Sequence, residues 1–205
     1  MSTVKGLHPT KQALIDTVVK MMDSQNPSEI NSDDVLERSG VSKGSLYHHF
    51  EDFSELIEYA LVARFASFVD QSIYMLSQVS IHSKTKSEFV AGIREVTRVT
   101  QAPARSNLRE ERVTAISKAM LNPRMKEKLG QEQERLTQAL ADLFRESIER
   151  GWGNPAFDPR AIAVLVQAYT IGQIVDDFSP AHMKEEDWYT LIDAIASHIF
   201  FSEGN

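Results

Sequence analysis

Residues Asn31–Leu56 read NSDDVLERSGVSKGSLYHHFEDFSEL, and they predict two short helices joined by a glycine turn. Asn31, with Asp34 three residues on, supplies an N-cap and an acidic first turn, and Val35 and Leu36 supply the buried face. Gly40 stops this helix, because glycine enters the left-handed region without steric cost. Ser42 then caps a second helix running Lys43 to Phe50. At about 100° per residue, Leu46 and Phe50 share one side and His48 stands almost opposite. Gly44 and Ser45 flank His48, and Tyr47 and His49 occupy the shoulders. One side is built to pack. The other is small near its start, where a helix can sink toward base edges, and carries hydroxyl and imidazole groups suited to phosphates and bases. This is the geometry of a recognition helix in a major groove, and it assigns Ser42, Lys43, Gly44, Ser45, Tyr47, His48 and His49 to contact with double-stranded DNA.

The segment on either side continues the helical pattern. Residues up to about Pro9 read as a flexible arm in which Lys5, with Lys11 beyond it, could touch phosphates. From Thr10 to Met22, Leu14, Ile15, Val18, Val19 and Met22 recur at helical spacing, giving an amphipathic helix that Asn26-Pro27 ends. Asp52 caps a long helix through Leu76. A three-helix DNA-binding domain over residues 1–51 and a larger domain over 52–205 are therefore expected.

The run Gly40-Val41-Ser42-Lys43-Gly44-Ser45-Leu46-Tyr47-His48-His49-Phe50 resembles the recognition-helix signature of the TetR family of bacterial transcriptional regulators, G-V-S-x-G-[ST]-L-Y-x-[HY]-F. The surrounding order agrees: an amphipathic helix before, the Val35-Leu36 pair, Ser39 before Gly40, and an acidic helix start after Phe50. The resemblance implies a transcriptional repressor that dimerises through its last two helices and is released from DNA by a small molecule. The chain departs from the family at Phe53, where members commonly carry a phosphate-binding Lys.

With 205 residues and 42% hydrophobic content, the chain can bury a sizeable core and suits a small domain plus a larger one. It has no Cys, so disulfides, thiolate metal sites and thiol redox sensing are excluded, and a cytoplasmic location is expected. The first ten residues lack an apolar core, and Gln167 and Gln173 interrupt the most apolar run, so neither a signal peptide nor a membrane span is expected. The formal net charge is −7, which argues against nonspecific coating of nucleic acid. Residues 1–50 carry five basic side chains against six acidic ones, leaving 17 against 23 for the remainder. Such a head must lean on geometry, backbone amides and a few cations.

Beyond Leu76, Ser80 to Lys86 reads as a turn, followed by helices over about Ser87 to Thr100 and Ala104 to Leu121. Asn122-Pro123 restarts a long stripe through Ile148; Gly151-Trp152-Gly153-Asn154-Pro155 stops it, and Asp158-Pro159 caps the next helix. The last two helices are expected over Pro159 to Phe178 and Glu185 to Phe201. No segment alternates like a strand, so the fold class is all-α, with about nine helices.

Trp188, Leu191, Ile192, Ile195 and Ile199 give the last helix a broader apolar surface than one chain needs, which predicts a homodimer through a four-helix bundle. Two recognition helices would then lie roughly one duplex turn, about 34 Å, or more apart and require a near-palindromic operator. The candidate lining of an effector site is Tyr74, Phe89, Ile93, Met120, Tyr169 and Gln173, aromatic and aliphatic with few charges, which predicts an amphipathic or largely apolar small organic effector. Gln167, Thr170 and Gln173 recur every three residues and face either a cavity, a subunit interface or solvent. Arg105 and Arg109 make either a carboxylate clamp or, beside Glu110, a solvated charged face, and the second is expected. Six His residues are too dispersed for a metal: His48 and His49 diverge by about 100° on a helix, and His182 and Glu185 sit in an exposed loop. No phosphate-cradling loop, HExxH or nucleophile elbow is present, so no catalysis, cofactor or metal is expected. The alternative function is a helical interaction module whose head contacts protein rather than DNA.

Overall fold

The computed structural model describes residues 7–201, with the side chain of Ile199 outside the description. Its helices are α1 (Pro9–Met21), α2 (Ser32–Ser39), α3 (Lys43–His49), α4 (Phe53–His82), α5 (Lys86–Gln101), α6 (Ser106–Leu121), α7 (Pro123–Glu149), α8 (Pro159–Gly172), the single turn α9 (Ile174–Asp177) and α10 (Glu185–Ile195). Counting α9 with α8 gives nine, and the described residues contain no strand. None of these helices is long and apolar enough to cross a membrane.

The chain divides into two compact units, one comprising the residues up to Asp70 with Ala115–Gly130, the other Gln71–Thr114 with the residues from Gln131 on. The boundary expected at 51/52 falls inside the first unit. The reason lies in the first half of α4, whose Leu56, Ala60, Leu61, Phe65 and Val69 are buried. Ala115, Ala119, Met125 and Leu129 around the α6–α7 turn are buried in the same unit.

Short-range chemistry sets the helix ends of the first unit. Asn31 Oδ1 accepts the Asp34 N–H at 3.0 Å, and Gly40 closes α2 at φ 66°. Ser42 Oγ accepts the Ser45 N–H at 3.2 Å, and Asp52 Oδ1 accepts that of Glu55 at 2.7 Å. Asn122 Oδ1 accepts the Met125 N–H at 3.1 Å while its Nδ2 donates to Glu58 Oε1 at 2.5 Å, tying the α6–α7 turn to α4. α1 ends at Met21, short of Asn26-Pro27, because Asp23 N–H turns back to Lys20 O at 3.2 Å and Ser24 N–H to Met21 O at 3.1 Å.

In the second unit Thr85 and Glu88 form a reciprocal capping box at the start of α5. Gly151 at φ 73° ends α7, and the Trp152 and Gly153 N–H groups both donate to Ser147 O, at 2.8 and 2.9 Å. The core gathers Phe89, Phe144, Phe200 and Phe201, with neighbouring ring centroids 5.4 to 6.4 Å apart. Arg109 lies in this interior and not on the expected solvated face: its Nε and Nη2 donate to the Asp177 carboxylate at 2.6 and 2.7 Å, and Nη1 donates to Ala102 O at 3.3 Å. Gln167 is likewise buried, donating to Thr137 Oγ1 and Ala163 O at 3.1 Å each and accepting from Gln133.

Candidate nucleic-acid interface and body cavity

α3 presents the two faces that its spacing requires. Leu46 and Phe50 are buried with Val35, Leu14 and Val18, whereas Ser42, Lys43, Gly44, Tyr47 and His48 are exposed and Ser45 and His49 half-buried. All seven residues assigned to DNA are thus exposed or half-buried. Gly44 supplies a further clue. A Cβ there would meet no heavy atom within 4 Å. Glycine inside a helix costs roughly 0.5–1 kcal/mol relative to alanine, and no contact within the described residues calls for it at this position.

Three cations of the first unit are engaged with its own side chains. Lys11 lies 4.7 Å from the Phe50 ring centroid and 4.0 Å from that of Tyr59, and Lys128 lies 3.3 Å from Tyr59. Burial raises the Tyr59 pKa, but hydrogen bonding to Lys128 and Lys11 outweighs it, and the net shift is downward. Arg124 pairs with Glu51 and lies 3.8 Å from Glu58. Phe53 is half-buried at the start of α4. Lys5 lies outside the described residues.

His8 was not among the residues expected at this surface. It caps α1, its Nδ1 accepting the Thr10 N–H at 3.2 Å, and its ring lies 4.7 Å from that of His49 at an interplanar angle of 31°. His49 in turn meets His48 edge-on at 5.1 Å. The visible sequence signal was a residue able to accept a hydrogen bond directly before Pro9, a cap rather than part of an arm. Among the described residues no group of three His, Asp or Glu is placed to hold a metal ion.

The second unit contains a cavity of about 50 Å³ among α4, α5, α7, α8 and α10. Leu76, Ile93, Val166, Phe144 and Phe200 give it apolar walls, and Thr97, Gln101, Tyr169 and Thr170 supply neutral polar groups. Gln101 Oε1 accepts from the Trp188 indole, and its Nε2 lies 3.5 Å from Thr170 Oγ1. Burial pushes the Tyr169 phenol up to about 12, with a hydrogen bond to Thr97 acting the other way, so the hydroxyl stays protonated. The charged lining residues, Arg94 and Asp193, pair with each other at 3.3 Å.

Of the six residues expected at an effector site, Ile93 and Tyr169 line this cavity. Phe89 instead stacks against Trp152 and Phe201, at 5.7 Å from each, and Gln173 is buried outside the lining. Tyr74 and Met120 are 66% and 73% exposed, on the outer faces of their helices.

The five residues expected at a dimer interface also separate. Ile192 is only 3% exposed and belongs to the chain's own core, Trp188 is held by Gln101, and Ile195 is half-buried. Leu191 is 53% exposed, and the Ile199 side chain lies outside the described residues. The larger uncovered apolar surface runs along α8 and α9, where Val164, Leu165, Val175 and Phe178 are exposed. Helical periodicity separated apolar from polar faces, but not an inward apolar face from an outward one.

No protein-family model matches the sequence, and no curated protein matches it. Solved structures do. The chain is similar to Salmonella enterica GusR, with 18% identity, a TM-score of 0.67, and coverage of 95% of this chain and 96% of that one. It is similar to a Saccharomonospora viridis protein in complex with choline, at 14% identity, TM-score 0.68 and coverage of 94% and 98%. A regulatory protein of the TetR family from Rhodococcus aligns at 10% identity and TM-score 0.60, over 97% of this chain and 100% of that one.

Proposed function

We propose, for a chain that has the fold of the TetR-family regulators, a dimeric transcriptional repressor that binds a near-palindromic DNA operator and is released by a small organic effector. The observation that carries this reading is α3, whose buried Leu46 and flanking Phe50 leave Lys43, Gly44, Tyr47 and His48 uncovered on the opposite side. Lys43, Tyr47 and His49 serve phosphates, and Gly44, Ser45 and His48 serve base edges. The exposed apolar residues of α8 and α9, with Leu191, support pairing with a second copy through these helices.

The cavity supports the effector. Its apolar walls and uncharged hydrogen-bonding groups suit a small, largely apolar molecule, and the choline held by the Saccharomonospora viridis protein supports a small organic ligand for this fold. α4 supplies the coupling element: Leu56 is in the core of the first unit and Leu76 lines the cavity of the second, on one uninterrupted helix. An effector acts through its preference for one position of α4. A hundredfold loss of operator affinity requires about 2.7 kcal/mol of such preference.

The test is His48→Ala, assayed on a duplex enriched from random sequence by the wild-type protein. The variant should lose about 1–3 kcal/mol on that duplex and relax its preference at one position of each half-site. An unchanged preference would remove α3's outer face from the role of base reader.

A further inference from the structure

The surface that carries α3 is short of positive charge for a phosphate-binding surface. Residues 1–50 have five basic against six acidic side chains, and α3 contains a single lysine, Lys43. Backbone phosphates nevertheless supply much of the affinity of DNA-binding proteins through neutralising cations. What the surface does have is imidazole: His8 from the start of α1 stacks on His49 at 4.7 Å, and His49 meets His48 at 5.1 Å. His8 is fixed in place, since its Nδ1 is occupied as the cap acceptor for Thr10 N–H.

His49 is the centre of this row. Facing it are His8 and Lys11 from the α1 side and His48 from its own helix, with Tyr59 of α4 behind Lys11. Partial burial, then His8, His48 and Lys11, push its pKa below the ordinary imidazole value. In the absence of DNA these groups disfavour the protonated ring. A phosphodiester laid along His8 and His49 reverses the balance, since an adjacent anion favours the charged imidazolium.

Building on the DNA-binding reading of α3, which leaves His48 to base edges, we propose that the stacked His8–His49 pair is a proton-linked phosphodiester site, at which binding of the DNA backbone places a proton on His49 and makes operator affinity rise as pH falls. The sign follows from the two states. Free protein holds the proton only at low pH, and the complex holds it to higher pH, so association takes up a proton between the two pKa values. In that window affinity strengthens by up to about tenfold for each unit of falling pH. Below the free-state pKa both states are protonated and the gain levels off; above the pKa in the complex neither is, and the gain is absent. The pair thereby supplies a conditional cation to a surface whose fixed cations are scarce.

The test uses the full chain and a fluorescent duplex enriched from a random-sequence library, with dissociation constants measured between about pH 5 and 8. Wild type should bind progressively more tightly toward the acid end. His49→Gln, which keeps a hydrogen-bonding side chain but cannot titrate, should give a clearly shallower profile that stays at the weaker level. His49→Lys, a permanent cation, should give a similarly shallow profile at the tighter level. A wild-type profile that is flat while the duplex is bound, or a His49→Gln profile as steep as wild type, overturns the proton linkage and leaves DNA binding standing. Failure to enrich any duplex at any pH overturns the DNA-binding reading, and the linkage with it.

Discussion

Phe50 shows how one residue joins packing to function in this chain. It ends α3 with an extended backbone, is 2% exposed, and meets the Tyr59 ring edge-on at 5.6 Å, so it holds α3 against α4. Phe50→Ala should cost about 3–5 kcal/mol, the range for deleting a buried phenyl group. Thermal unfolding should show the first unit destabilised and DNA binding lost for all sequences alike; an unchanged midpoint with binding intact would place the α3–α4 contact elsewhere. Phe50 was legible in the sequence because its role depends on Leu46, four residues away. Arg109 was not, because its partner Asp177 lies 68 residues further on. Beside Glu110 it reads as a solvated charge, and only the tertiary fold brings the carboxylate that makes its burial tolerable. His8 is the same case in miniature: its cap is local, but its stacking on His49 is not.

At the scale of elements, the boundaries read well from the sequence are those closed by neighbouring residues. Asn31, Gly40, Ser42, Asp52 and Asp158 each act within four residues and stand where the sequence places them. Boundaries shaped by distant contacts moved. α4 continues to His82 through Ser80, whose hydroxyl donates to Glu146 Oε2 at 2.5 Å, a distant partner that the local sequence does not reveal. α8 breaks at Gly172 and resumes as the single turn α9, which carries Asp177 to Arg109. After α10 the chain widens into a π-helical turn, Ala196–Phe200, which periodicity at 3.6 residues per turn does not anticipate. The apolar stripes themselves were legible, yet their assignment was not. A helix such as α10, with Ile192 inward and Leu191 outward, has two apolar faces, and composition alone does not say which one meets the chain's own core.

For the whole molecule, the all-α fold was legible because helix signals recur along the entire chain and no segment competes for strand. The division into units was less so, since Ala115–Gly130 returns to the first unit from far along the sequence. The proposed coupling of cavity to DNA surface through α4 carries a reciprocal consequence: for any compound that binds the cavity, saturating operator DNA should weaken its affinity by the same factor by which the compound weakens DNA binding. Calorimetry of the compound with and without operator measures this directly, and equal affinities would reject the coupling.

The claim on which the rest depends is that this chain reads duplex DNA as a symmetric pair. Selection from a random-sequence duplex library by the full-length protein tests it most directly. The expected result is an enriched, near-palindromic consensus whose half-sites are centred about one helical turn, roughly 34 Å, or somewhat more apart. An unenriched pool would contradict sequence-specific DNA reading, and a consensus consisting of one unrepeated half-site would contradict the symmetric pair.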